Sequence, residues 1–363
     1  MHIHHLASRV VPVAAALQRS ASLQEVCEGI EGAQPLEPIF LAEDALELQA
    51  PSLQRPVLLI HGLAQQADTW VNMKNFLCSN PDNGYGGVYR SGQDQEFYRQ
   101  QMGRFNQKVF LLNISDGLAS PADTAHEVRE ALSKIRGATG HRKIDVVTHS
   151  MGSLQAREAL RQGEDSIANL VMIAPPSQGA YGADMLLKMR KVGYDHYPEG
   201  RTGALEALRL AKGPLGGVSN EFLHSLNESW PDDRQRLDSA AIITGAGLPT
   251  PDRAWLGASD GDGMVALGRA GLPETPMFVA GDQGLQAEDP NFRDFQMFRY
   301  NHLQIVSEAE VYRKVGQILS TPGAAENQAP SEVQMHFEEV EPSFRASQPA
   351  TGEQFELFSS SSQ

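Results

Sequence analysis

The chain has 363 residues, 41% of them hydrophobic, and a formal net charge of −15. A chain of that length buries a sizeable core as one large α/β domain or as two domains, and no run of eighteen apolar residues marks a helix able to cross a membrane. The negative balance argues against nucleic acid as a partner, because phosphate binding needs a basic surface, and against simple electrostatic docking on anionic lipid.

Residues 1–36 read as helical with polar flanks. His2, His4 and His5 suit a loose terminus better than a metal site. The apolar stretch Val10–Leu17 is short, contains Pro12 and runs into Gln18-Arg19, so it is expected to be an ordinary helix and not a signal peptide. A cytoplasmic location, or export by a non-classical route, is the corresponding expectation. Cys27 and Cys78 are too few for a disulfide scaffold and are read as two reduced thiols. Short extended pieces are expected at 39–41 and 46–48. An N-terminal segment of 1–54 therefore precedes the main domain.

Val57-Leu58-Leu59-Ile60 is a continuous apolar run, as in a strand buried on both faces. It ends in His61-Gly62-Leu63-Ala64, and Trp70, Met73, Phe76 and Leu77 then follow at helical spacing. Residues 79–106 are polar and glycine-rich and read as a surface insertion. Lys108–Asn113 is the next strand. Ser120-Pro121-Ala122-Asp123 opens a helix with a serine cap, a proline in the first turn and an acid at the third position. Ala125, Val128, Leu132 and Ile135 form its apolar face.

The stretch Ile144–Leu154 passes from a β-branched run through Thr148-His149-Ser150-Met151-Gly152 into a helical pattern. A serine on a sharp strand-to-helix turn is a nucleophile elbow, usually G-x-S-x-G. Gly152 fits the second glycine and Thr148 departs from the first. Asn169–Ala174 is another buried strand, ending in Pro175-Pro176-Ser177-Gln178-Gly179. From Tyr181 to Trp230 only broken amphipathic segments appear. An insertion of about 180–235 is expected to form a helical cap over the sheet edge, since long insertions in compact folds are usually functional. The alternative is a plain helical layer packed on the sheet. Further strands are expected at Ala240–Thr244 and Pro276–Ala280, with a closing helix to about Leu319. Residues 321–363 hold seven glutamates against one arginine and are expected to be a disordered, solvated tail. Strands alternating with helices predict an α/β fold, a mostly parallel doubly wound sheet with its sites at the carboxyl ends of strands.

Read together, these signals resemble the bacterial lipases and esterases of the α/β-hydrolase superfamily. The resemblance covers roughly residues 55–320 and rests on Leu58–Leu63, Thr148–Gly152, Pro175–Gly179, Asp262-Gly263-Met264-Val265 and Asn301-His302-Leu303, in that order. It implies a carboxylic-ester hydrolase working through an acyl-enzyme. Ser150 would be the nucleophile, His302 the base, Asp262 the orienting acid, and the N–H groups of Leu63 and Met151 the oxyanion donors. Asp260 competes with Asp262, which is preferred because Gly-x-Val follows it as in the family turn. His149 is read as structural. Leu303–Val306 supply no acid where some of these lipases bind calcium, so neither metal nor cofactor is expected. The expected partner is a small-molecule ester or lipid. The cap and the Phe292–Tyr300 stretch offer apolar surface for the substrate and for transient contact with a lipid interface. An acyltransferase or thioesterase using the same triad, and a non-catalytic binding module, are the alternatives.

Overall fold

The computed structural model describes residues 49–92, 106–191, 201–211, 220–252, 258–280 and 300–320. The expectations for the N-terminal helix, Cys27, the tail and Phe292 to Arg299 lie outside these residues. Cys78 carries a free thiol. Among the described residues no helix is long and apolar enough to cross a membrane.

The sheet is built from β1 (Val57–Ile60), β2 (Gly84–Arg90), β3 (Gln107–Asn113), β4 (Ile144–His149), β5 (Ile167–Ile173) and β6 (Ser239–Gly245). A short antiparallel pair, β7 (Leu248–Pro251) and β8 (Ala258–Gly261), stands apart from it, and β9 (Met277–Ala280) closes the sheet. The seven strands run in the order β2-β3-β1-β4-β5-β6-β9, and every neighbouring pair is parallel. Parallel strands need crossovers, and among the described residues helices flank both faces of the sheet. These are α1 (Val71–Leu77, after a 3₁₀ turn at Ala67–Trp70), α2 (Pro121–Thr139), α3 (Gly152–Arg161), α4 (Tyr181–Lys191), α5 (Gly203–Ala207), α6 (Glu221–Glu228), α7 (Trp230–Gln235), α8 (Leu267–Ala270) and α9 (Ala309–Ser320).

Alternation along each strand divides the apolar side chains between two cores. Leu58, Ile60, Phe110, Leu112, Val146, Leu170 and Ile242 pack with Val128, Leu132 and Ile135 of α2 and with Ala156 and Leu160 of α3. Val57, Leu59, Val109, Leu111, Val147, Val171 and Ile243 pack on the other face with Trp70, Met73 and Leu77 and with Val315 and Leu319 of α9. This two-sided burial is why the strands read as unbroken apolar runs.

Two elements differ from the sequence reading. Gly84–Arg90 is an edge strand and not a surface insertion. A Cβ on Gly86 would lie 2.1 Å from the Phe110 ring, so the glycine lets the strand lie over that side chain. Tyr89 anchors the strand from inside: it is buried and its hydroxyl donates to Glu130 of α2 at 2.7 Å. The β7–β8 pair was not expected either. Pro249 and Pro251 obscure it, yet proline is tolerated in a two-stranded edge.

Helix α2 begins as its sequence dictates. The Ser120 hydroxyl accepts the Asp123 N–H, and Gly140 ends the helix in the left-handed region at φ 74°. The segment from α4 to α7 is tied together by its own polar side chains. Asn220 caps α6 and donates to the carbonyls of Ala207 and Arg209 at 3.0 and 2.8 Å. Asp184 accepts the Leu210 N–H and pairs with Arg209. Its anchor to the elbow helix is Arg157, fully buried on α3. One guanidinium nitrogen donates to the Leu226 carbonyl at 2.9 Å and to Asn227 Oδ1 at 2.8 Å, and the group lies over the Trp230 ring. Burial pushes the Arg157 pKa down to about 9.

Candidate active site

Strands β1 and β4 end level with one another, Ile60 opposite Thr148. The loops that follow therefore emerge side by side at the carboxyl edge of the sheet, the usual location of sites in open α/β folds. Ser150 follows β4 with φ 52°, a left-handed conformation uncommon for a residue with a Cβ. It is 7% exposed. Its N–H donates to the Ile173 carbonyl at 2.9 Å, which extends the β4–β5 pairing through the turn. Thr148, where the usual pattern has glycine, is fully buried, and its hydroxyl donates to the Val171 carbonyl at 3.3 Å. The Ser153 hydroxyl lies 2.8 Å from it. The branched side chain thus fits between β4 and α3 with its polar atom satisfied.

His302 Nε2 lies 2.8 Å from Ser150 Oγ, and its Nδ1 lies 2.7 Å from Asp262 Oδ2. The second Asp262 oxygen accepts the N–H groups of Met264 and Val265 at 2.9 and 2.7 Å. The His302 N–H donates to the Asp262 carbonyl at 2.9 Å, so side chain and backbone hold the two loops together. Both residues are buried. Asp260 is elsewhere: it lies on β8, and its carboxylate accepts the N–H of Gly247, the residue before β7, at 2.7 Å.

The loop after β1 passes directly beside the serine, since a Cβ built on Gly62 would lie 2.9 Å from Ser150 Cβ. Neither the Leu63 nor the Met151 N–H has an acceptor among the described residues. Ala64 is committed, its N–H donating to the Gly117 carbonyl at 3.2 Å. His61 holds the loop from below. The Ile114 N–H donates to His61 Nε2 at 3.1 Å, so that nitrogen is bare and Nδ1–H donates to the Gly62 carbonyl at 2.9 Å. Burial lowers the His61 pKa, consistent with this neutral tautomer.

Both His149 ring nitrogens face groups other than Ser150 Oγ. Nδ1 lies 2.9 Å from Gln65 Oε1 and Nε2 2.8 Å from the His302 carbonyl. The contact between His149 and Gln65 was not anticipated from the sequence, where 84 positions separate them. Above the elbow, Met151 and Leu154 pack with Ala183 and Leu187 of α4, Leu205 of α5 and Leu223 and Leu226 of α6. Leu63, Leu186 and Phe222 are partly buried against the same cluster. Among the described residues no group of three or more His, Cys, Asp or Glu side chains is placed to hold a metal ion.

A family model for the alpha/beta hydrolase fold matches residues 55–240. Among solved structures, the mature lipase BlEst2 of Bacillus licheniformis is 14% identical, with 76% of this chain and 95% of that chain covered and a TM-score of 0.47. The phospholipase PlaB of Legionella pneumophila is 13% identical over 74% of this chain and 60% of that one, with a TM-score of 0.48. A metagenomic carboxyl esterase is 14% identical over 79% and 82%, with a TM-score of 0.42.

Proposed function

The chain belongs to the α/β-hydrolase fold family, and on that premise we propose that it is a serine hydrolase of carboxylic esters with an apolar acyl group. The observation that carries the reading is the continuous line of hydrogen-bond distances from Ser150 Oγ through His302 to Asp262, 2.8 and then 2.7 Å.

A free serine hydroxyl is a weak nucleophile and needs a base within hydrogen-bond reach. His302 Nε2 takes the Oγ proton as Oγ bonds to the ester carbonyl carbon. Asp262 holds the imidazole with Nδ1 protonated and stabilises the imidazolium that forms. The carbonyl oxygen becomes an oxyanion facing the free N–H groups of Leu63 and Met151. One such donor is worth roughly 3 kcal/mol of transition-state stabilisation. The C–O bond to the alcohol then breaks, the alkoxide takes the proton from His302, and the acyl group remains on Ser150. Water, deprotonated by His302, attacks the acyl carbon. Collapse breaks the bond to Oγ, which recovers its proton as the acid leaves.

The α4–α7 segment acts as the cap and provides the acyl site. Leu63, Leu186 and Phe222 leave apolar surface next to the elbow, which suits a hydrocarbon acyl chain. Three measurements test the proposal. Ser150→Ala should abolish turnover of p-nitrophenyl esters, and retention of wild-type turnover overturns the reading. Rates on short against long acyl esters, with and without a lipid interface, place the enzyme between esterase and lipase. Partition of the acyl group between water and added alcohols distinguishes hydrolysis from transfer.

A further inference from the structure

His149 joins two loops that the proposed reaction needs. Its Nε2 faces the main-chain carbonyl of His302 at 2.8 Å and its Nδ1 faces Gln65 Oε1 at 2.9 Å. The same Gln65 oxygen accepts the N–H of Gly62 at 2.8 Å. Gly62 immediately precedes Leu63. One buried ring, adjacent in sequence to Ser150, therefore lies between the loop carrying an oxyanion donor and the loop carrying the base.

The protons of this network do not all fit at once. The His302 carbonyl only accepts, so His149 Nε2 must carry a proton. The Gly62 N–H only donates, so the Gln65 atom facing it must be its oxygen. That oxygen also faces Nδ1, and the contact becomes a hydrogen bond only if Nδ1 is protonated as well. Both bonds are complete only in an imidazolium. Burial, followed by the neighbouring His302, holds the His149 pKa well below the ordinary histidine value. With one proton, one contact goes unserved: His149 releases the His302 carbonyl or the Gln65 oxygen, or Gln65 turns its amide and releases Gly62. His61 shows none of this conflict, because its single tautomer satisfies both of its partners.

We infer that His149 and Gln65 are positioning residues: acting through Gly62, they set the Leu63 N–H against Ser150 and link that setting to the loop of His302. The inference rests on the serine-hydrolase reading of the site. Neither side chain hydrogen-bonds Ser150 Oγ or His302 Nε2, though the His149 ring lies against the His302 ring with centroids 5.0 Å apart, so their effect falls on transition-state geometry and not on substrate binding.

The test is a double-mutant cycle with Gln65→Leu, His149→Leu and their combination. The readouts are kcat and KM on a p-nitrophenyl ester, fluorophosphonate labelling of Ser150 and thermal stability. Each single change should lower kcat about tenfold or more with KM within about twofold, as expected of misplacement near reacting atoms. The double variant should lose no more than the worse single, because both changes break one tether. Labelling of Ser150 should stay complete but slow down. His149→Asn, whose Nδ2–H can still reach Gln65, should recover most of what His149→Leu loses. Gln65 sits half-buried on a loop, so Gln65→Leu decides the matter alone if His149→Leu does not fold. Single changes that leave kcat within twofold, or losses that multiply in the double variant, overturn the inference. A wild-type protein that takes no label removes the serine-hydrolase reading itself and this inference with it.

Discussion

Gly152→Ala perturbs the elbow at its tightest point. A Cβ there would lie 2.5 Å from the His61 carbonyl oxygen and 2.8 Å from that of Ile60. The first distance is about 0.9 Å short of the 3.4 Å at which ordinary contact begins. Both obstacles are backbone at the end of β1, and no rotamer change relieves them. His61 cannot retreat freely, because its ring bonds the Gly62 carbonyl and the Ile114 N–H. Either the elbow or the β1 end must therefore move by several tenths of an ångström. Overpacking of this kind costs about 1–3 kcal/mol, or a melting-point drop of roughly 2–4 °C per kcal/mol for a domain of this size. The displaced groups are the Met151 and Leu63 N–H donors and Ser150 itself, and a misplacement approaching 1 Å lowers kcat by about a hundredfold. Thermal melts and steady-state kinetics on a soluble ester measure the two effects. A Gly152→Ala protein with an unchanged melting point and kcat within twofold would refute the claim that backbone contact between β1 and α3 fixes the elbow.

Asp262→Asn should lower kcat by about 10³–10⁴ with little change in KM, because the amide favours the wrong imidazole tautomer; Asp260→Asn should change kcat by less than about threefold, and equal effects of the two would reverse the assignment. Burial, offset in part by Arg55 and the Asn169 N–H, pushes the Asp145 carboxyl up to about 6. Its folded value lies above its unfolded value near 3.8, so its contribution is greatest below that pH and is lost as pH rises through about 6. Urea denaturation should therefore show wild type losing a few kcal/mol relative to Asp145→Asn between pH 4 and pH 7, and a pH-independent difference would contradict this. Arg157→Ala should cost about 3 kcal/mol, since it strips the Leu226 carbonyl and Asn227 of their donor and opens a cavity under Trp230. Limited proteolysis should then cut first between residues 181 and 235, and uniform protection of that segment would argue against Arg157 as its anchor.

What was legible in the sequence follows from where the physics is local. Strands β1, β3, β4, β5, β6 and β9 sit in a two-sided sheet, so their apolar runs announce them. The α2 cap depends on Ser120, Pro121 and Asp123, all within four positions. Strand β2 escaped because Gly86 answers to Phe110 and Gly84 to the Asn106 backbone, both distant in sequence, and its glycines leave no alternating pattern. The β7–β8 pair escaped because two prolines mask a strand that needs few ladder bonds. At the site, Ser150, Asp262 and His302 could be named because each sits in a short local signature, and the structure brings the three within hydrogen-bond reach. Gln65 carries no such signature. Its meaning lies in a long-range contact with His149, whose own role sequence position left at "structural".

Covalent labelling shows whether Ser150 is an activated nucleophile. Incubation with a fluorophosphonate, followed by intact-mass and peptide analysis, should give one adduct per chain on Ser150. Labelling should be absent in Ser150→Ala and strongly slowed in His302→Ala. A folded wild-type protein that remains unlabelled, or carries its adduct on another residue, would contradict that role.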